Sequence, residues 1–150
     1  MRLEPDLYYF CAPRGEQAVD LPVEFVPVQE LLADEPACRA VWDLIGAHFR
    51  TRCKFLTVWP SVRYVALCRQ PDGAVAGFLL VSAPINWQID YVVVCPECRG
   101  RGIATALINA TLNEALARRV PYVMLTSRES LRSLYEQCGF SVVGAPQLVA

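Results

Sequence analysis

The run Val92-Val93-Val94-Cys95-Pro96-Glu97-Cys98-Arg99-Gly100-Arg101-Gly102-Ile103-Ala104 holds two candidate chemistries. The first is anion binding. An apolar strand that passes through a glycine-spaced turn into a helix presents unpaired backbone N–H groups, a place to hold phosphate. Glycine at positions 100 and 102 removes the Cβ that would keep the backbone from a diphosphate, and the helix dipole adds about half a positive charge. Arg99 and Arg101 can add charge-assisted contacts. In isolation, a plain turn with two solvated arginines would read the same way. The second chemistry is redox: C-x-x-C at a helix start is how thiol–disulfide oxidoreductases lower a thiol pKa. Here Arg99 to Gly102 separate the cysteine pair from the regular helix, which a redox motif would start at once. Zinc lacks ligands, because no second C-x-x-C follows and His48 is the only histidine.

The elements that must position this turn can be read from hydrophobic spacing. Leu7 to Cys11 and Val23 to Val28 read as short strands in a beginning punctuated by Pro5, Pro13, Pro22 and Pro27. From Glu30 to about Arg50, Val41, Leu44, Ile45, His48 and Phe49 recur at helical spacing, with Pro36 marking a break or a start, so one helix or two remain open. Thr51 to Val62 reads as a loop or short helix with an aromatic face. Strands over Arg63 to Arg69 and Val75 to Ser82 flank Gln70-Pro71-Asp72-Gly73, a tight-turn sequence. Gln88 to Val94 is the next strand. Gly102 to Arg118 is helical, with Ala104, Leu107, Ile108, Thr111, Leu112 and Ala115 on one face and Asn109 and Asn113 opposite. Tyr122 to Ser127 is a strand, Leu131, Leu134, Tyr135 and Cys138 form a helical stripe that Gly139 stops, and Phe140 to Val149 closes the sheet. Mixed strands and helices in this order give an α/β layer structure with one βαβ unit, and the glycine turn falls at the carboxyl end of its first strand, where ligands of open α/β sheets sit.

Composition bounds the rest. The 150 residues fit one domain, 1–150, and 54% hydrophobic against 19% charged residues predicts a packed globule. Lys+Arg 14 against Asp+Glu 15, a net charge of -1, gives no footprint for nucleic acid. No apolar run is long enough to span a bilayer, and Met1-Arg2-Leu3-Glu4-Pro5-Asp6 lacks a signal peptide's apolar segment, so the expectation is a soluble, cytoplasmic protein. Seven cysteines, an odd count scattered among apolar neighbours, then read as reduced, buried small hydrophobes.

Arg99-x-x-Gly102-x-Ala104, preceded by Val94-x-Pro96-Glu97 and followed by Leu134-Tyr135-Glu136-Gln137-Cys138-Gly139-Phe140, resembles the GNAT (GCN5-related N-acetyltransferase) family over Gln88 to Phe140. The resemblance implies a fold: a mixed, mostly antiparallel sheet of six to seven strands flanked by about four helices, with a βαβ acyl-CoA-binding unit. It also implies acetyl-CoA as acyl donor, with the pyrophosphate on Gly100, Arg101, Gly102, Ile103, Ala104 and Thr105, near Arg99, and the pantetheine arm along Val92, Val93 and Val94. The amides of pantetheine can extend a backbone ladder, and the Val94 N–H would face the thioester carbonyl and stabilise charge developing there. Tyr135 would be the general acid toward the departing thiolate, since a phenol of pKa about 10 is protonated at neutral pH. On spacing alone Tyr135 is a core tyrosine on its apolar stripe.

Two positions depart from the family pattern. Relatives often carry a glutamate base early in the strand that leads to the turn, where Gln88 stands, and glutamine cannot take a proton. Asp90, two residues on and on the same strand face, is the substitute, with an exposed strand carboxylate or a water relay as alternatives. Relatives also carry an asparagine seven positions before the helix tyrosine, where Arg128 stands; that arginine is left out of the site.

The resulting expectation is an enzyme, an N-acetyltransferase acting on a small-molecule or peptide amine by direct attack on the thioester. A non-catalytic acyl-CoA-binding module and the C-x-x-C oxidoreductase are the rivals. The acceptor would meet a wall from Ala47 to Val62, where Arg50, Arg52, Lys54, Phe55 and Trp59 suggest a partly basic, aromatic surface. A solvated loop with one buried face is the competing reading. The apolar end from Phe140 to Ala150 could pair across a homodimer.

Overall fold

In a computed structural model that describes residues 4–49, 53–83 and 85–145, seven strands form one sheet in the order β2-β3-β4-β5-β6-β1-β7. The strands are β1 (Asp6–Cys11), β2 (Glu24–Pro27), β3 (Val62–Arg69), β4 (Val75–Ser82), β5 (Trp87–Val94), β6 (Val123–Arg128) and β7 (Ser141–Gly144). The helices are α1 (Val28–Ala33), α2 (Glu35–His48), α3 (Cys53–Val58), α4 (Ile103–Ala117) and α5 (Arg132–Gln137), one more than the resemblance implied. All ladders are antiparallel except β5 with β6. The chain's first strand, β1, is therefore inserted between two of its last three elements of sheet, β6 and β7.

The two-helix reading holds between Glu30 and His48. Asp34 breaks the run: its carboxylate accepts from the Ala37 N–H at 3.2 Å and Pro36 occupies the first turn of α2, a position where the missing proline N–H costs nothing. The same carboxylate pairs with Arg69 at 2.9 Å, and Arg69 also reaches Glu24 at 2.8 Å. The turn after β3 closes with Gly73 N–H on Gln70 O at 2.9 Å and Ala74 N–H on Asp72 Oδ1 at 3.0 Å.

β4 is buried along nearly its whole length because both sheet faces are covered. α1, α2 and α3 pack Leu31, Val41, Ile45 and Phe55 on one face; α4 and α5 pack Leu107, Ile108 and Tyr135 on the other. Each such fully buried aliphatic side chain contributes about 1.5–3 kcal/mol of transfer free energy. The outer face of α4 is covered as well. Asn113 exchanges two hydrogen bonds with the Gln17 backbone, at 2.6 and 2.8 Å, and Asn109 donates to Ala18 O at 3.2 Å. The asparagines opposite the apolar stripe thus hold a strap of the proline-rich beginning rather than facing water. Of the predicted closing strand, Ser141–Gly144 is observed and residues 146–150 lie outside the described residues.

β5 carries a bulge that matters for the site. Val81 opposes Ile89 and Leu80 opposes Tyr91, which leaves Asp90 without a partner. The extra residue exchanges the strand's faces: Trp87 and Ile89 sit in the core under α4, whereas Tyr91 and Val93 sit in the core under α2 and α3.

Candidate active site

The parallel ladder between β5 and β6 is brief, pairing Trp87 with Val123 and Gln88 with Met124. Beyond it the strands part, and a cleft of about 440 Å³ opens between β5, the turn, the start of α4 and α5. Of the residues predicted to hold a cofactor, Val92, Val93, Val94, Arg99, Gly100, Gly102, Ile103, Ala104 and Thr105 line this cleft; Arg101 is exposed and does not. Cys95 N–H donates to Ala76 O at 2.8 Å, toward β4. Backbone groups alternate along a ladder, so the N–H and C=O of Val94 point to the opposite edge, where the Arg99 Nε lies 3.4 Å from Val94 O.

The turn is built for this opening. Gly100 and Gly102 have φ of +79° and +77°, and a Cβ at either would meet nothing within 4 Å. Glycine is required there by the left-handed backbone, and the space above it is free. The first bond of α4 runs from Ala106 N–H to Gly102 O at 3.0 Å, so the N–H groups of Ile103, Ala104 and Thr105 precede any helical acceptor. A residue that sequence reasoning missed seats this helix end. A Cβ on Gly77 in β4 would stand 2.8 Å from Ile103 Cγ2 and 3.0 Å from Val93 O, so the glycine lets α4 and β5 approach at the cleft's base.

A second cleft of about 300 Å³ lies between β5 and β6, and shares Phe49, Val92, Arg128, Leu131 and Tyr135 with the first. Tyr135 is only 5% exposed. Its ring lies 5.0 Å from that of Tyr9, and its hydroxyl is hydrogen-bonded to Ser127. Burial pushes its phenol above the ordinary value, which keeps the proton on. Asp90 joins it as a lining residue of the second cleft. The expected exposed strand carboxylate is instead half-buried: Ser82 hydrogen-bonds it, while Oδ2 is buried with no partner among the described residues. Burial raises the Asp90 carboxyl, opposed by the Ser82 bonds and by the nearby Lys54. Gln88 is exposed and borders neither cleft.

The cysteine pair is placed for packing. Cys98 has no exposed surface, and the Cys95 thiol donates to Val75 O at 3.1 Å. Burial pushes the Cys95 thiol up, the reverse of the lowering a redox pair needs.

The expected acceptor wall needs correction. Phe55 is fully buried and packs edge-on against Trp42 at 4.7 Å, with Trp59 beside both. Phe55 and Trp59 stand four apart, which puts both on the inward side of a helical segment. Lys54 does reach the second cleft, its Nζ 5.9 Å from the centroid of Tyr91. Arg50 and Arg52 lie outside the described residues. Arg128, set aside on sequence, lines both clefts, and His48 and Phe49 line the first.

A family model described as the acetyltransferase (GNAT) family matches residues 28–140. Among solved structures, a GCN5-related N-acetyltransferase from Sphaerobacter thermophilus superposes with a TM-score of 0.73 at 20% identity, covering 99% of this chain and 55% of that one. A GNAT-family protein from Novosphingobium aromaticivorans gives 0.70 at 24% identity, covering 97% of this chain and 62% of its own. A ribosomal-protein-alanine N-acetyltransferase from Brucella melitensis biovar Abortus gives 0.61 at 19% identity over 86% of this chain and 98% of that one. The chain thus spans less than two thirds of the first two. No curated protein matches it.

Proposed function

The chain belongs to the GNAT family of acetyltransferases, and on that footing we propose that it is an acetyl-CoA-dependent N-acetyltransferase acting on a primary amine. One observation carries the reading: the backbone edge at Val94 that faces away from β4 and the N–H groups of Ile103 to Thr105, which precede any helical acceptor, line a single cleft that ends at Tyr135. Their chemistry fits the donor, whose amides match a free strand edge and whose diphosphate matches a helix N-terminus. Acetyl-CoA supplies an acetyl group activated as a thioester.

In this reading the Val94 N–H stabilises negative charge at the carbonyl oxygen, and Arg99 and the turn at Gly100 to Thr105 hold the diphosphate. The amine nitrogen forms the new N–C bond and gives up its second proton to water, the C–S bond breaks with its electron pair on sulfur, and Tyr135 donates the proton that sulfur takes up, the phenol being restored by a proton from water. A protonated amine must first lose a proton. Asp90, or water beside it, accepts that proton. The acceptor is a small-molecule or peptide amine; the net charge of -1 offers nothing to nucleic acid, and among the described residues no helix is long and apolar enough to cross a membrane.

Release of free thiol from acetyl-CoA with a panel of amines tests the assignment. Tyr135→Phe is expected to lower kcat on the order of 10²-fold at saturating acetyl-CoA, with CoA affinity retained. Unchanged turnover would remove Tyr135 from the acid role. CoA binding with no transfer to any amine would make the protein a binding module instead.

A further inference from the structure

The second cleft sorts charge in a way that a site for a simple amine does not need. Two carboxylates, Asp6 and Asp90, and two cations, Lys54 and Arg128, line it. Among the described residues neither cation is within 4.0 Å of a carboxylate, which leaves both open to a ligand. Asp90 Oδ2, correspondingly, is buried with no partner. A buried carboxylate oxygen left unsatisfied costs free energy until a donor arrives, and an ammonium supplies one. Lys54 and Arg128 are exposed beside the same small space, and an anion on the same ligand would replace their water with charge-assisted hydrogen bonds.

We propose, resting on the acyl-transfer reading above, that the acceptor is a primary amine bearing an anionic group close to its nitrogen, a carboxylate or a phosphate ester. The amine sits at Asp90, toward Tyr135, and the anion lies between Lys54 and Arg128. Phe49 and Leu131, which border both clefts, supply the apolar rim for the acceptor's remaining substituent. A neutral monoamine would satisfy Asp90 and leave both cations unanswered.

Matched pairs of acceptors test this: phenylalanine against phenylalaninamide, leucine against leucinamide, and O-phosphoethanolamine against ethanolamine. Each amide is a weaker base than its acid and holds more free amine at neutral pH, so it would be favoured if the anion played no part. The proposal expects kcat/KM to favour the anionic member of at least one pair by about tenfold or more. Which pair responds distinguishes carboxylate from phosphate. In Lys54→Gln the ratio between that pair should collapse toward one, through a rise in KM specific to the anionic acceptor, while the KM for acetyl-CoA holds. Lys54 is exposed on α3, so the substitution leaves the core intact. Equal acetylation of both members of every pair, or a ratio that Lys54→Gln leaves unchanged, overturns the proposal and leaves acyl transfer standing. Thiol release with none of the amines overturns both.

Discussion

At Asp90, burial and chemistry act on the same carboxyl group. Its Oδ2 is buried with no partner among the described residues, burial raises its pKa, and it is the residue that the bulge leaves without a β4 partner. The sign of the pH effect is fixed. Between the ordinary value of 3.8 and the raised one, the folded chain holds a proton that the unfolded chain has already lost, so stability falls as pH rises through that window, and the cost stays in full above it. Asp90→Asn removes the charge. Its Tm should exceed that of the parent at neutral pH, and the gap should close as pH is lowered through the window; a gap independent of pH contradicts this account. Acetylation should meanwhile fall on the order of 10²-fold if Asp90 takes the proton. The family resemblance points to the position of Gln88 and the two-residue period leads from there to Asp90, but a bulge depends on how two strands register, and no local spacing encodes that.

The strand–turn–helix unit is where local signals and structure agree best. The valines of β5, the glycines at left-handed positions and the apolar stripe of α4 each answer to a constraint within a few residues. Gly77 answers to a contact across the sheet, and nothing in its own neighbourhood announces it. Gly77→Ala must displace Ile103 or the Val93 carbonyl, because a Cβ contact at 2.8 Å is too short to keep. The expected cost is about 1–3 kcal/mol in urea unfolding, together with weaker binding of CoA as the first turn of α4 moves. Unaltered CoA affinity would show that the helix end is seated by other contacts. The region from Cys53 to Trp59 has two readings, a basic aromatic surface or a segment with one buried face, and the second holds for its aromatics: Trp42 from α2 packs onto them and turns Phe55 into core. A partner helix decides that burial, as it does the strap on α4, where Asn109 and Asn113 meet a segment 91 and 96 residues away.

At the scale of the molecule, the free thiols form a natural set of probes. Cys11, Cys68, Cys95, Cys98 and Cys138 are 0–7% exposed and belong to both halves of the chain. All five pack into the core beneath α4 and α5. If the sheet opens as one unit, they should be alkylated with a common rate set by global opening, while the half-buried Cys38 reacts earlier. Peptide-resolved alkylation in rising urea measures this. Distinct rates for Cys11 and Cys138 against Cys95 and Cys98 would divide the molecule into separately opening halves.

The position of β1 sets a timetable for synthesis. Tyr9 donates its hydroxyl to the Arg128 carbonyl across 119 residues, and both neighbours of β1 in the sheet are made long after it. The meander β2–β5 can assemble as it emerges from the ribosome, but β1 must wait, unpaired, until β6 and β7 exist. Its exposed Tyr8 and part-buried Phe10 are then an open strand edge, so β1 is protected only after both of its later partners have formed, and a chaperone acting on this chain would find its business at that strand.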